Sequence, residues 1–308
     1  MAILVLVNSV FVERQLNALR RIAPDLEIHT DPDNCPAERI EVLYGFRLPR
    51  GLAARFPNLK LIASSGAGVD GVLTADLPAH VQVTRAVDPL QAQRLAQYAV
   101  YHVLRIQRDM AFFENLQRER KCMRPDAPQE TDWTVGIMGL GAIGLKLAES
   151  LRTLGYPVLG WSRTRHSHAG IETFVGQEEL PAFLARTRIL VLLLPATPAT
   201  QGLIDAKVFA GLPRGAHLIQ IARGGIVVEE AMMEALDGGR LDSAVLDVFS
   251  REPLPADSPL WTHPKVTVTP HVAGEPRAEW IAAQFNENYR RLLKGEPLEN
   301  AVSREAGY

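Results

Sequence analysis

Short apolar runs alternate with longer stretches in which apolar residues recur every three or four positions, and this continues through most of the chain. Ile3–Val7 predicts a strand and Val12–Arg21 a helix; Val42–Tyr44, Lys60–Ala63 and Val81–Thr84 predict further strands. Such a βαβ rhythm implies a parallel sheet covered by helices. From Gln91 to about Arg120 there is neither Gly nor Pro and many helix formers, which predicts one long helix. KCMRPDAPQETD then predicts a loop. A second series follows, with strands at Thr134–Met138, Pro157–Trp161, Ile189–Leu194, His217–Ile221, Ser243–Asp247 and Val266–Thr269 and a closing helix at Arg277–Lys294. The pattern predicts an α/β fold of two doubly wound parallel-sheet domains, Rossmann-like or flavodoxin-like, with an active-site cleft between them. Residues 1–98 with 287–308 form the expected substrate domain and residues 99–286 the expected nucleotide domain. The late helix would carry the chain back to the first domain.

Within the second series, TVGIMGLGAIG holds Gly139, Gly141 and Gly144 as GxGxxG, preceded by an apolar strand and followed by the helical stretch Leu145–Thr153. In that setting the first glycine permits a tight turn, the second lets a pyrophosphate approach the backbone and the third lets helix pack on strand. The helix N-terminus offers free N–H groups and a positive dipole end to phosphate. About twenty residues on, VLGWSRTR ends the next strand, where a carboxylate would bind ribose hydroxyls and repel a 2′-phosphate. This chain has Ser162, Arg163 and Arg165 there instead. They can donate to a phosphate, which predicts NADP(H) over NAD(H); otherwise they are a solvated surface pair.

Composition narrows the function classes. The chain has 308 residues, 47% hydrophobic and 22% charged, with a net charge of -2. That allows more than one domain and argues against a strongly basic nucleic-acid binder. The two cysteines, Cys35 and Cys122, are far apart and form no CxxC, so neither a disulfide scaffold nor a metal cluster is expected. MAILVLVNSVF has no Lys or Arg before its apolar run and is too short to span a bilayer. A cytoplasmic protein with no membrane partner is expected.

Arg223 and His271 each follow an apolar strand, and Glu252 lies in the loop after another. Ligands in open α/β sheets bind at the carboxyl ends of strands. The trio suits a 2-keto acid. An arginine can pair with the carboxylate and polarise the keto oxygen, a histidine can give that oxygen a proton, and a glutamate can orient the imidazole. Singly, each could be a surface arginine, a capping glutamate or a loop histidine. Upstream, SGAGVD places two glycines after the strand Lys60–Ala63, where backbone N–H groups can turn toward an anion or simply form a tight turn.

Together GLGAIG, LPATPATQGLI, IARGGIVVEEAM, AVLDVFSREPLP and TPHVAG resemble the D-isomer-specific 2-hydroxyacid dehydrogenase family, in that family's order along nearly the whole chain. The resemblance implies that Arg223, Glu252 and His271 are the catalytic trio. It implies cofactor contacts at Gly139, Gly141, Ala142, Ile143, Gly144, Trp161, Ser162, Arg163, Arg165, Leu194, Pro195, Thr200, Ile221, Ala222 and Gly274. Asp247 would lie near the nicotinamide carboxamide or cap a loop. The backbone of Ala67, Gly68 and Val69 would hold the substrate carboxylate, with Phe46 over the substrate or in the core, and Arg223 and His271 would touch substrate as well. SSGAGVDGV, GWSR and the terminal Ala306–Tyr308 are similar to the glyoxylate/hydroxypyruvate reductase A subgroup. That implies NADPH-dependent reduction of glyoxylate to glycolate and of hydroxypyruvate to D-glycerate. A homodimer built partly on the helix near residues 91–120 is also implied.

The chain departs from the family pattern at Gln97, usually glutamate, at Gln220, usually asparagine, and at Glu275 after the histidine. A bulkier 2-keto acid as substrate, or a nucleotide-sensing binding protein on the same fold, remains open. An enzyme should consume NADPH with a small 2-keto acid, whereas a sensor should bind nucleotide with little turnover.

Overall fold

The computed structural model describes residues 2–7, 9–74, 76–126, 129–165 and 167–303. The terminal Ala306–Tyr308 lies outside the described residues. Two compact units form, residues 1–90 with 276–308 and residues 91–275. The first begins with β1 (Ala2–Val5), α1 (Val10–Ile22), β2 (Ile28–His29), β3 (Ile40–Gly45), β4 (Leu61–Ser64) and β5 (Gln82–Thr84). The second holds α2 (Gln91–Gln107), α3 (Met110–Arg118), β6 (Val135–Met138), α4 (Ala142–Thr153), β7 (Val158–Ser162) and β8 (Glu172–Val175). It continues with α5 (Gly176–Ala185), β9 (Ile189–Leu192), α6 (Ala206–Gly211), β10 (Ala216–Gln220), α7 (Glu229–Asp237), β11 (Leu241–Leu246) and β12 (Val266–Val268). The closing helix α8 (Ala278–Lys294) returns to the first unit.

The first unit is a parallel sheet in the order β2-β1-β3-β4-β5. Strands β1 and β4 are buried at every position, which is why they read as apolar runs. Ser9 caps α1 by accepting from the Val12 N–H at 3.3 Å. The stripe Val12, Leu16 and Leu19 packs with Ile281, Ala282, Phe285 and Tyr289 of α8 on one sheet face. Leu4, Leu43 and Ile62 face the other way, against Leu48, Leu52, Phe56, Val69 and Val72.

The second unit is a seven-stranded parallel sheet in the order β12-β11-β10-β9-β6-β7-β8. Helices α2 and α4 cover one face through Leu95, Ala99, Val103, Leu147 and Leu151. Helices α5, α6 and α7 cover the other through Phe183, Phe209, Met232 and Leu236. Strand order reverses between β6 and β9, and the carboxyl ends there form the switch point at which doubly wound sheets bind ligands.

Three expectations need correction. The single helix over 91–120 is two, broken where Asp109 adopts φ 46°, a left-handed conformation that Asp tolerates better than most side chains. The Asp109 carbonyl then accepts from the Phe112 and Phe113 N–H groups and starts α3. Strands β2 and β8 were not predicted: one is two residues long, and the other is an edge strand with a single buried residue. The unit boundaries fall at 90/91 and 275/276, not at 98/99 and 286/287. Each helix stays whole because its apolar face has one packing partner, α4 for α2 and α1 for α8.

Candidate active site

The β6–α4 turn is shaped by steric necessity. Gly139 has φ +109°, and a Cβ there would lie 2.7 Å from the Leu193 carbonyl oxygen. A Cβ on Gly144 would lie 2.0 Å from the Gly139 carbonyl oxygen. Gly141, the residue before α4, differs: a Cβ there would meet nothing within 4 Å. The first helical bond is donated by the Leu145 N–H to the Gly141 carbonyl at 2.9 Å, so the N–H groups of Ala142, Ile143 and Gly144 precede the helical ladder. Open space before those donors fits the phosphates of a dinucleotide.

At the end of β7 the expected residues separate. Trp161 is a core residue whose Nε1–H donates to the Gly176 carbonyl at 2.8 Å, so its backbone is what it can offer a ligand. Leu194 and Ile221 are core residues too, on opposite faces of the sheet. The Ser162 hydroxyl donates to the Thr164 carbonyl at 2.6 Å. Arg165 is paired with Glu179, whose second oxygen accepts from the Val175 N–H at 2.8 Å. That N–H, then Arg165, hold the Glu179 carboxyl below its usual range. Arg163 is exposed and has no ion-pair partner among the described residues. The two arginines are therefore not equivalent: one is tethered and the other is available. Thr200 closes the loop after β9, donating to the Pro195 carbonyl at 2.6 Å and accepting from the Thr197 N–H at 2.9 Å.

The loops after β10, β11 and β12 gather the trio. Gln220, buried at the end of β10, donates from Nε2 to the Arg223 carbonyl at 2.8 Å, and Arg223 donates to the Ala222 carbonyl at 2.8 Å. A Cβ on Gly224 would sit 1.7 Å from the Phe249 carbonyl oxygen, so the Arg223 segment lies directly on the one leading to Glu252. Glu252 accepts from the Phe249 N–H at 3.1 Å through one oxygen and faces His271 Nδ1 at 3.0 Å with the other. Because an ionised carboxylate only accepts, Nδ1 carries a proton and Nε2 is left for chemistry. The His271 side chain is 35% exposed and that of Glu252 17%, so the imidazole can be reached while its partner is sheltered.

His271 holds φ 57°, an uncommon conformation for a non-glycine residue, and its loop is fixed from below by Asp247. The Asp247 carbonyl accepts from the His271 N–H at 2.8 Å. One carboxylate oxygen accepts from the Thr269 hydroxyl at 2.6 Å and the Val272 N–H at 2.9 Å, and the other from the Ala273 N–H at 2.9 Å. Burial pushes its carboxyl up in pKa and those three donors pull it down. The Asp247 carboxylate thus caps this loop. Gly274 follows, where a Cβ would be 2.7 Å from Leu95 Cγ.

In the first unit the SGAGVD turn is tightly organised. Ser64 Oγ donates to the Gly68 carbonyl at 2.8 Å, and Gln15, buried on α1, donates to the Ser65 carbonyl at 2.9 Å while accepting from the Tyr44 hydroxyl at 2.5 Å. No described group accepts from the N–H groups of Ala67 and Gly68, both half-buried. The Val69 side chain is buried in the core. Phe46 lies on this turn, its Cε2 2.8 Å from where a Gly66 Cβ would be. Sequence reasoning missed Gln15, Gly224 and the support role of Gln220. The glycine after Arg223 was a readable signal, but nothing local marks Gln15.

The model for the D-isomer specific 2-hydroxyacid dehydrogenase NAD binding domain matches residues 100–273. The chain belongs to that family. It is 41% identical to the glyoxylate/hydroxypyruvate reductase A of Escherichia fergusonii over 302 residues, covering 95% of both chains. Among solved structures it is similar to a D-isomer specific 2-hydroxyacid dehydrogenase from Xanthobacter autotrophicus Py2 in complex with NADPH and MES. Identity there is 40%, the TM-score is 0.83, and 100% of this chain and 99% of that one are covered. It is also similar to the NADPH-dependent glyoxylate/hydroxypyruvate reductase of Sinorhizobium meliloti in complex with NADP and sulfate. That match has 35% identity, a TM-score of 0.87 and coverage of 100% and 99%. No described helix is long and apolar enough to cross a membrane.

Proposed function

We propose that this family member is an NADPH-dependent reductase of small 2-keto acids, converting glyoxylate to glycolate and hydroxypyruvate to D-glycerate. The observation that carries the reading is the Glu252–His271 pair, 3.0 Å apart, on a loop packed against the segment bearing Arg223. The relatives named above, two of them described with NADPH or NADP, support it. Bound NADPH supplies a hydride to the keto carbon. Arg223 pairs with the substrate carboxylate and polarises the keto oxygen, and the N–H groups of Ala67, Gly68 and Val69 add donors for the carboxylate. His271 gives its Nε2 proton to the oxygen as the carbon is reduced, and Glu252, held against Nδ1, orients the imidazole. The α4 N-terminus holds the pyrophosphate, and Arg163 with Ser162 reads the 2′-phosphate. Phe46 lies over the substrate.

The protein acts in the cytoplasm as a homodimer. Tyr101 and Leu104 of α2 and Met110 and Phe113 of α3 are exposed apolar side chains that a second copy would cover, which supports that assembly. NADPH oxidation against a panel of 2-keto acids, with NADH beside it, is the test. Fast NADPH-dependent turnover of glyoxylate or hydroxypyruvate is expected. Turnover restricted to bulky keto acids would overturn the substrate, and tight NADPH binding without turnover would overturn the enzyme.

A further inference from the structure

Helix α2 presents Gln91, Arg94, Leu95 and Tyr98, the i, i+3, i+4, i+7 spacing of a single helix face, to the segment that follows β12. Gln91 Nε2 donates to the Gly274 carbonyl at 3.3 Å and Arg94 to the Glu275 carbonyl at 3.4 Å. Leu95 packs so closely on Gly274 that a Cβ there would lie 2.7 Å from Leu95 Cγ and force the leucine to move. One turn on, the Tyr98 hydroxyl meets Thr269 Oγ1 at 2.5 Å, and Thr269 Oγ1 meets Asp247 at 2.6 Å. A threonine hydroxyl has one proton. With Asp247 ionised, that proton goes to its carboxylate, so the Tyr98 hydroxyl donates to Thr269. Asp247 in turn receives the Val272 and Ala273 N–H groups and the His271 N–H. A directed chain therefore runs from helix to threonine to aspartate to the backbone on both sides of the histidine.

We infer that Tyr98 is a positioning residue for the His271 proton donor, acting through Thr269 and Asp247 without touching substrate. The inference rests on the proposed reductase reading for its catalytic consequence alone. His271 sits at φ 57°, a conformation retained only where its surroundings over-determine it. Its loop is pinned by the carboxylate at one end and the α2 face at the other. Removing the tyrosine hydroxyl leaves the ring packed and loosens one support of that loop.

Two measurements on Tyr98→Phe, with Thr269→Val as the second variant, decide the matter. The first is amide hydrogen exchange over residues 269–275 against the glycine loop at 139–144. Faster exchange in the first segment alone is expected, and unchanged exchange there overturns the inference whatever the activity. The second is steady-state kinetics with NADPH deuterated at the transferred position. kcat should fall about tenfold with KM for the keto acid within twofold, as expected of a small displacement of a reacting group. The isotope effect on kcat should rise, because a misplaced proton donor makes chemistry slower relative to product release. A merely structural loss would lower the amount of active enzyme and leave the isotope effect unchanged. Faster exchange with unchanged kcat overturns positioning. An inactive wild-type protein overturns the reductase reading instead, and the exchange result still decides the coupling.

Discussion

Gly224→Ala tests whether the trio depends on close packing between two loops. A Cβ at 224 would lie 1.7 Å from the Phe249 carbonyl oxygen and 2.2 Å from its carbon. Real Cβ contacts essentially never fall below 3.0 Å, so the segments must part by about 1.3 Å, the gap from 1.7 to 3.0 Å. The obstacle is backbone and cannot rotate away. Arg223 precedes the glycine, and the Phe249 N–H holds Glu252 at 3.1 Å, so the displacement falls on both sides of the site. A misplacement of about 1 Å costs roughly a hundredfold in rate, or about 2.7 kcal/mol of transition-state stabilisation. Overpacking should also lower stability by about 1–3 kcal/mol. The glycine loop at 139–144 is built independently, so NADPH affinity should be spared. The assay is kcat/KM for glyoxylate with NADPH, alongside nucleotide binding by fluorescence and unfolding in urea. A folded Gly224→Ala protein with kcat/KM within threefold of wild type would refute the reasoning.

The remaining predictions concern charge and protons. His271→Gln should lower kcat roughly 10²- to 10⁴-fold while leaving NADPH binding unchanged; near-normal turnover would sink the acid assignment. Arg163→Asp should weaken NADPH relative to NADH roughly 10- to 100-fold, the worth of losing charge-assisted bonds to a phosphate. An unchanged preference in competitive binding would put the 2′-phosphate elsewhere. Burial holds the His217 imidazole down at about 4, with Arg188 adding repulsion, and does the same at His102, where Arg105 adds repulsion. Both folded pKa values lie below the usual 6.5, so the unfolded chain binds more protons in between. Their contribution to stability is present above about 6.5 and is lost as pH falls toward 4. Urea midpoints between pH 7 and 4 should fall less steeply in His217→Asn, and an identical slope would refute burial as the cause.

The fold is legible wherever burial is symmetrical. Strands covered on both faces, such as β1, β6 and β9, are apolar at every position and stand out as runs. Edge strands do not: β8 buries only Phe174, and β2 is half-exposed at both residues. Asp109 hides the break between α2 and α3 because its left-handed turn needs neither Gly nor Pro, the two residues by which a sequence announces such a turn. Unit boundaries were displaced for a related reason. Composition marks where loops are, while the apolar stripe of a helix, whose partner is known only in three dimensions, sets which unit it joins.

The site divides along the same line. Arg223, Glu252 and His271 are visible because their chemistry and their places after strands are local properties of the sequence. What arranges them is not local. Asp247 is not marked as a loop support until its two oxygens are seen to receive three donors from residues 269–273. Gly224 looks like any glycine after an arginine until the Phe249 carbonyl is found where its side chain would be. Gln15 and Tyr44 read as ordinary helix and strand positions, yet they fix the Ser65 carbonyl from 50 and 21 residues away in sequence. A trio carried on three loops keeps its geometry only if those loops are cross-linked by groups outside the trio. Mutations at Asp247, Gly224 and Tyr98 should therefore act on the rate of chemistry more than on nucleotide binding, since the glycine loop shares none of these supports.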